Sequence, residues 1–257
     1  MDANGAYPRK TLLIAMVIME NKEIIILGGG SSIKEGLSLG LKEKIKDKCV
    51  LTLNFAFNHF DSTATVFVDD MFYRGYIYGC GITCNKEHVE KLKQLPLIIG
   101  AKRDYIRFYP NTIPLGYTFS YRHDIPLKKG FFVGKPLTGI FALHIAAYLL
   151  DYNGSIYCLG FDGGVISASD STSTHYYTDI KHRGIGKTDV YTVEPLDHYF
   201  KEFLVEKDLT IYNVSPNSNI KSFQKITYPK MFELLTEETY DQNDLRIQIQ
   251  EKLEWKK

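Results

Sequence analysis

The sequence predicts an α/β protein: a single doubly wound, mainly parallel sheet of Rossmann-like type, with a lid and a C-terminal helical tail. Three observations predict it. Short apolar runs rich in β-branched residues alternate with helical patterns along the chain. The first run, Ile24-Ile25-Ile26-Leu27, is continuous rather than alternating, as in a central parallel strand covered on both faces. It ends in Gly28-Gly29-Gly30-Ser31-Ser32, a turn whose glycines reach backbone angles closed to other residues and let a ligand approach the main chain.

Ser31 or Ser32 is placed to cap a helix over residues 33–41, whose free N–H groups and positive dipole end would favour an anion. G-G-G-S-S is neither G-x-G-x-x-G nor a Walker sequence, so a plain strand-to-helix turn is the competing reading. Residues 49–54 form a second strand ending at Asn54, and 55–60 a loop. Residues 65–68 form a third strand that runs into Asp69 and Asp70. Strand ends bearing Asn54 and Asp69 beside the glycine turn would lie along one carboxyl edge, where ligands of open α/β sheets bind.

Residues 86–94 predict a short charged helix and 97–100 a fourth strand. Residues 103–132, rich in Tyr, Phe, Arg and Pro, predict a loop-rich insertion carrying an antiparallel hairpin. Residues 139–150, apolar on nearly every side, predict the buried central helix. Thr138 is its N-cap, and with Gly139 and nearby Lys135 it offers a second anion-binding helix start. His144 within it reads as a core histidine. Residues 155–161 predict a strand ending in Asp162, and the small, polar stretch that follows predicts a lid over about 163–192. A helix over 194–205 and a last strand over 210–214 complete the sheet. Leu245, Ile249 and Leu253 recur every four residues, so the tail packs as a helix on the domain or on a second subunit of a homo-oligomer.

With 257 residues, 44% hydrophobic and 24% charged, the chain can bury a sizeable core as one domain with a lid. Its net charge of +1 leaves no footprint for bulk binding of nucleic acid or anionic membrane. Cys49, Cys80, Cys84 and Cys158 read as free thiols of a reducing compartment. Cys80, Cys84 and His88 do not have a zinc spacing, so no metal is expected there. The apolar stretch 11–19 is too short to span a bilayer and no small-residue cleavage site follows it, which gives no membrane span and a cytoplasmic placement. Residues 1–18 form an extension before a domain over 19–235, with Met19 an alternative start; the tail covers 236–257.

In this order the pieces resemble the bacterial sialyltransferases of glycosyltransferase family 42, and the wider set of sheet proteins related to them, including the archaeal-type 6-hydroxymethylpterin diphosphokinase-like group. The resemblance spans most of residues 19–220. It rests on Gly28–Ser32 for a G-x-G-x-S turn, Asn54 after the second strand, and Asp69 where the family commonly has Asn. Thr138-Gly139, the Gly160-Phe161-Asp162 strand end, the lid pair His175-Tyr176 and Ser215-Pro216-Asn217-Ser218 complete it.

The resemblance implies that Gly28, Gly29, Gly30, Ser31, Ser32, Asn54, Asp69, Thr138, Gly139 and Asp162 hold a nucleotide-sugar donor. Tyr176 would contact the donor phosphate. The family's base histidine falls on Asp179 here, so the general base stays open between Asp179, His182 and His175. A base works best with a pKa near the working pH, which favours histidine, and Lys181 and Arg183 beside His182 would keep it neutral.

The expected function is transfer of a sugar from a nucleotide-sugar donor, without metal, to the hydroxyl of a glycan, a modified nucleobase or a small molecule. The aromatic, arginine-bearing stretch 103–122 could stack either a sugar or a base. Two alternatives come from other classes. One is Mg²⁺-dependent diphosphate transfer to a pterin-like alcohol, with Asp69, Asp70 and Asp162 as oxygen ligands; the other is a non-catalytic nucleotide-binding protein.

Overall fold

The structure, a computed structural model, describes residues 22–68, 72, 86–102, 108–118, 131–133, 138–163 and 208–253. Among these, nine strands form one sheet, and every pairing in it is parallel. In chain order they are β1 (Glu23–Leu27), β2 (Val50–Leu53), β3 (Ala64–Phe67), β4 (Ile98–Ala101), β5 (Thr112–Thr118), β6 (Phe131–Val133), β7 (Asn153–Leu159), β8 (Asp208–Asn213) and β9 (Gln224–Lys225). Their spatial order is β6-β5-β4-β3-β2-β1-β7-β8-β9. The chain therefore winds outward from β1 as far as β6, crosses back, and winds outward again from β7. That reversal makes the crevice between the carboxyl ends of β1 and β7 the topological switch point, where open α/β sheets bind ligands.

β1 is buried along its whole length, as a continuous apolar run between two parallel neighbours must be. Its side chains alternate between two cores. Ile24 and Ile26 join the core beneath α4 (Thr138–Leu149) and α6 (Gln242–Leu253). Ile25 and Leu27 join the core beneath α1 (Ile33–Ser38), α2 (Leu41–Ile45) and α5 (Tyr228–Leu234). Phe57, Phe67, Phe72, Leu92 and Ile98 form an aromatic-rich cluster under α3 (Lys86–Gln94). Helices thus cover both faces, and α4 lies across β1, β2, β3 and β7 with His144 buried within it. Leu245, Ile249 and Leu253 are 2%, 0% and 1% exposed in the first core, so the tail helix packs on its own domain.

Several expectations are corrected. The helix expected over 33–41 is two short helices parted at Gly40, whose φ of 81° ends the first of them. The expected loop 55–60 carries a 3-10 helix, Asn54–Asn58. The described strands of the insertion pair in parallel, not as an antiparallel hairpin: β5 pairs β4 through Thr112 to Leu115 and β6 through Gly116 to Thr118. Pro114 is tolerated because β6 pairs only beyond it, so its missing N–H faces an unpaired side. The two-residue β9 carries no period of its own and had no sequence signal. Residues 1–21, 103–107 and 119–130, the lid from 164 onward, the helix over 194–205 and Cys80 and Cys84 lie outside the described residues; Cys49 and Cys158 are buried free thiols. Among the described residues no helix is long and apolar enough to cross a membrane.

The amino edge of the sheet is locked by a buried ion pair. Lys48 Nζ lies 3.3 Å from Glu23 Oε1, both side chains under 10% exposed. The same ammonium donates to the carbonyls of Thr236 and, at 2.6 Å, Glu238. Thr236 in turn donates to Glu23 from its amide at 3.2 Å and its hydroxyl at 2.8 Å. Every charge is paired and hydrogen-bonded, which makes a buried pair tolerable. Removing one partner strands the other, so Lys48→Met is expected to lower the unfolding free energy by about 3–5 kcal/mol. In urea titrations the double variant Glu23→Gln/Lys48→Met is expected to lose less than the sum of the two single variants.

Candidate functional site

The switch-point crevice is built from four strand ends and the start of α4. At its centre, β1 and β7 stay zipped beyond their last ladder residues. Gly28 N donates to Leu159 O at 2.8 Å and Gly30 N to Gly160 O at 3.0 Å. Such close approach needs glycines on both sides. A Cβ at Gly30 would lie 2.5 Å from the Gly160 oxygen and 2.6 Å from the Asp162 carboxyl carbon. Gly160 has φ +69°, and a Cβ there would meet Gly30 N at 2.8 Å.

Asp162 crosses from β7 to the glycine turn. Its Oδ2 accepts from Ser31 Oγ at 3.2 Å and Ser32 N at 2.9 Å, and its Oδ1 from Ser32 Oγ at 2.5 Å. Neither serine caps α1 as expected: Ser32 has helical angles and makes no side-chain cap bond, because its hydroxyl is committed to Asp162. The glycine turn thus brings Gly28, Gly30, Ser31, Ser32 and Asp162 together through the protein's own groups. Gly29 is half-buried between them.

The strand end bearing Asp162 is held from behind by β8. Asn213 Nδ2 donates to Phe161 O at 3.0 Å and to Ser218 Oγ at 2.9 Å, and Ser218 Oγ donates to Phe161 O at 2.7 Å. Asn219 N donates to Asp162 O at 2.9 Å. Asn213 and Ser218 are buried, so these bonds are shielded from competing water. Tyr228 is fully buried against Gly36, within electrostatic reach of Asp162. Burial, and then the negative charge of Asp162, push its phenol up from the ordinary value, so it stays neutral.

A second cluster adjoins the first through Phe161, whose ring would lie 3.0 Å from a Cβ on Gly139. Thr138, the first residue of α4, is buried, and its hydroxyl donates to Asn54 Oδ1 at 3.3 Å. Asn54, the residue after β2, has φ 49°, in the left-handed region that asparagine tolerates better than most residues. A non-glycine residue held there at a strand end is the kind of local cost that clusters at binding sites. Asn54, Thr138, Gly139, Phe161, Asp162 and the glycine turn therefore form one continuous wall.

No protein-family model matches the chain, and no curated protein or solved structure matches it significantly. Asp69, Asp70, His175, Tyr176, Asp179 and His182 lie outside the described residues. Among the described residues no group of three or more His, Cys, Asp or Glu side chains is gathered as metal ligands, and Asp162 faces the two serines.

The sequence singled out most of this wall and the brace Ser218, but not Asn213 or Asn219. A polar Asn213 in the apolar strand run Ile211-Tyr212-Asn213-Val214 was the available signal, since a buried amide in a strand must be hydrogen-bonded to something specific. Tyr228 carried none. Because Gly30 is crowded by the protein itself, Gly30→Ala is expected to cost about 1–3 kcal/mol of stability in denaturant titration even with no ligand present; an open ligand cradle would lose binding but little stability.

Proposed function

We propose that the chain is a glycosyltransferase that takes a sugar from a nucleotide-sugar donor and passes it to an acceptor hydroxyl. The observation that carries this reading is the Asn54–Thr138 contact at the switch-point crevice, beside the start of the buried helix α4. There an amide and a hydroxyl on rigid elements meet Gly139 and the Phe161 ring, a combination of a few convergent polar groups with an apolar surface that suits a nucleotide. In this reading Tyr176 contacts the donor phosphate, and the general base is His182, Asp179 or His175. The base withdraws the acceptor proton as the acceptor oxygen bonds the anomeric carbon and the bond from that carbon to the phosphate oxygen breaks, and the nucleotide leaves as an anion.

Isothermal titration with CMP, UDP, GDP and ADP tests the reading. One nucleotide is expected to bind in the range of about 1 μM to 1 mM typical of enzyme substrates. Asn54→Ala or Thr138→Val is expected to weaken it about tenfold, the worth of one lost hydrogen bond near 1.4 kcal/mol. Binding of no nucleotide overturns the reading. Turnover that stops in EDTA points instead to metal-dependent diphosphate transfer.

A further inference from the structure

Five of the donors that a glycine turn would offer to a phosphate are already used. Ser31 Oγ, Ser32 Oγ and Ser32 N all bond the Asp162 carboxylate, and Gly28 N and Gly30 N are spent on β7 carbonyls. We propose that Asp162 is a specificity-determining residue: it gives this wall of the crevice to the uncharged nucleoside part of a ligand and keeps the ligand's phosphate away. The proposal rests on the nucleotide reading above.

Position supports it first. The missing Cβ at Gly30 makes room for the Asp162 carboxyl group itself, so the glycine admits a protein anion rather than a ligand's. Rigidity supports it second. The main chain at 161–162 is pinned by Asn213, Ser218 and the Asn219 amide, and the carboxylate must break its three bonds to Ser31 and Ser32 to withdraw. Charge supports it third. Among the described residues no ion pair involves Asp162, and the adjacent Tyr228 phenol is held neutral. Asp162 is only half-buried, and a second anion a few ångströms from its carboxylate is repelled. The nucleoside meets no such penalty. Its phosphate must then be neutralised away from the glycine turn.

The test compares the full chain with Asp162→Asn, which keeps shape and removes charge. Isothermal titrations use cytidine and CMP, uridine and UMP, guanosine and GMP, and adenosine and AMP; thermal denaturation is followed with and without inorganic phosphate. The ratio of monophosphate to nucleoside affinity is expected to rise about tenfold or more in the variant, and phosphate is expected to raise the Tm of the variant but not of the wild type. An unchanged ratio, or an equal phosphate response in both proteins, overturns the proposal. If no nucleoside or nucleotide binds either protein while phosphate still stabilises only the variant, the nucleotide reading falls and phosphate exclusion by Asp162 stands. Should Asp162→Asn fail to fold, Asp162→Ser is measured against phosphate in the same way, with the same two outcomes.

Discussion

The close approach of the carboxyl ends of β1 and β7 is the constraint on which the site depends. Two main chains can come this near only where side chains are missing, which is why Gly28, Gly30 and Gly160 face one another. Once they do, Asp162 follows Gly160 and Phe161 across the junction and fills the space above Gly30. Everything else at the edge is arranged around that crossing: β8 braces it from one side, the Phe161 ring leans on α4 from the other, and Thr138 reaches Asn54 beyond.

The two edges of the sheet are held by different chemistry. At the amino edge, Glu23 and Lys48 are an ion pair sealed by the Thr236–Glu238 segment, so the C-terminal region serves as a clamp far from the crevice. At the carboxyl edge, bonds run from two serine hydroxyls and one main-chain N–H group to one half-buried carboxylate.

The fold was legible because its signals are local. A continuous apolar run such as Ile24–Leu27 and an all-round apolar helix such as α4 declare their burial without help from the rest of the chain. What was not legible depends on contacts distant in sequence. Ser32 looked like a helix cap because its neighbours suit one, but its partner stands 130 positions away. The stretch 103–132 looked irregular because β5 and β6 are strands only by pairing at the far side of the sheet. The glycine turn shows the same limit: three glycines announce that something approaches closely, and only the fold says that it is the protein's own β7 and Asp162.

Site-resolved amide hydrogen exchange on the ligand-free chain tests most directly whether the glycine turn is closed by internal bonds. The amides of Gly28, Gly30 and Ser32, bonded to Leu159, Gly160 and Asp162, are expected to be protected to the same order as the β1 amide of Ile25, which bonds Cys49. Exchange of Gly30 and Ser32 at the rate of an open loop would contradict the account, because the turn would then be an empty cradle rather than a closed clasp.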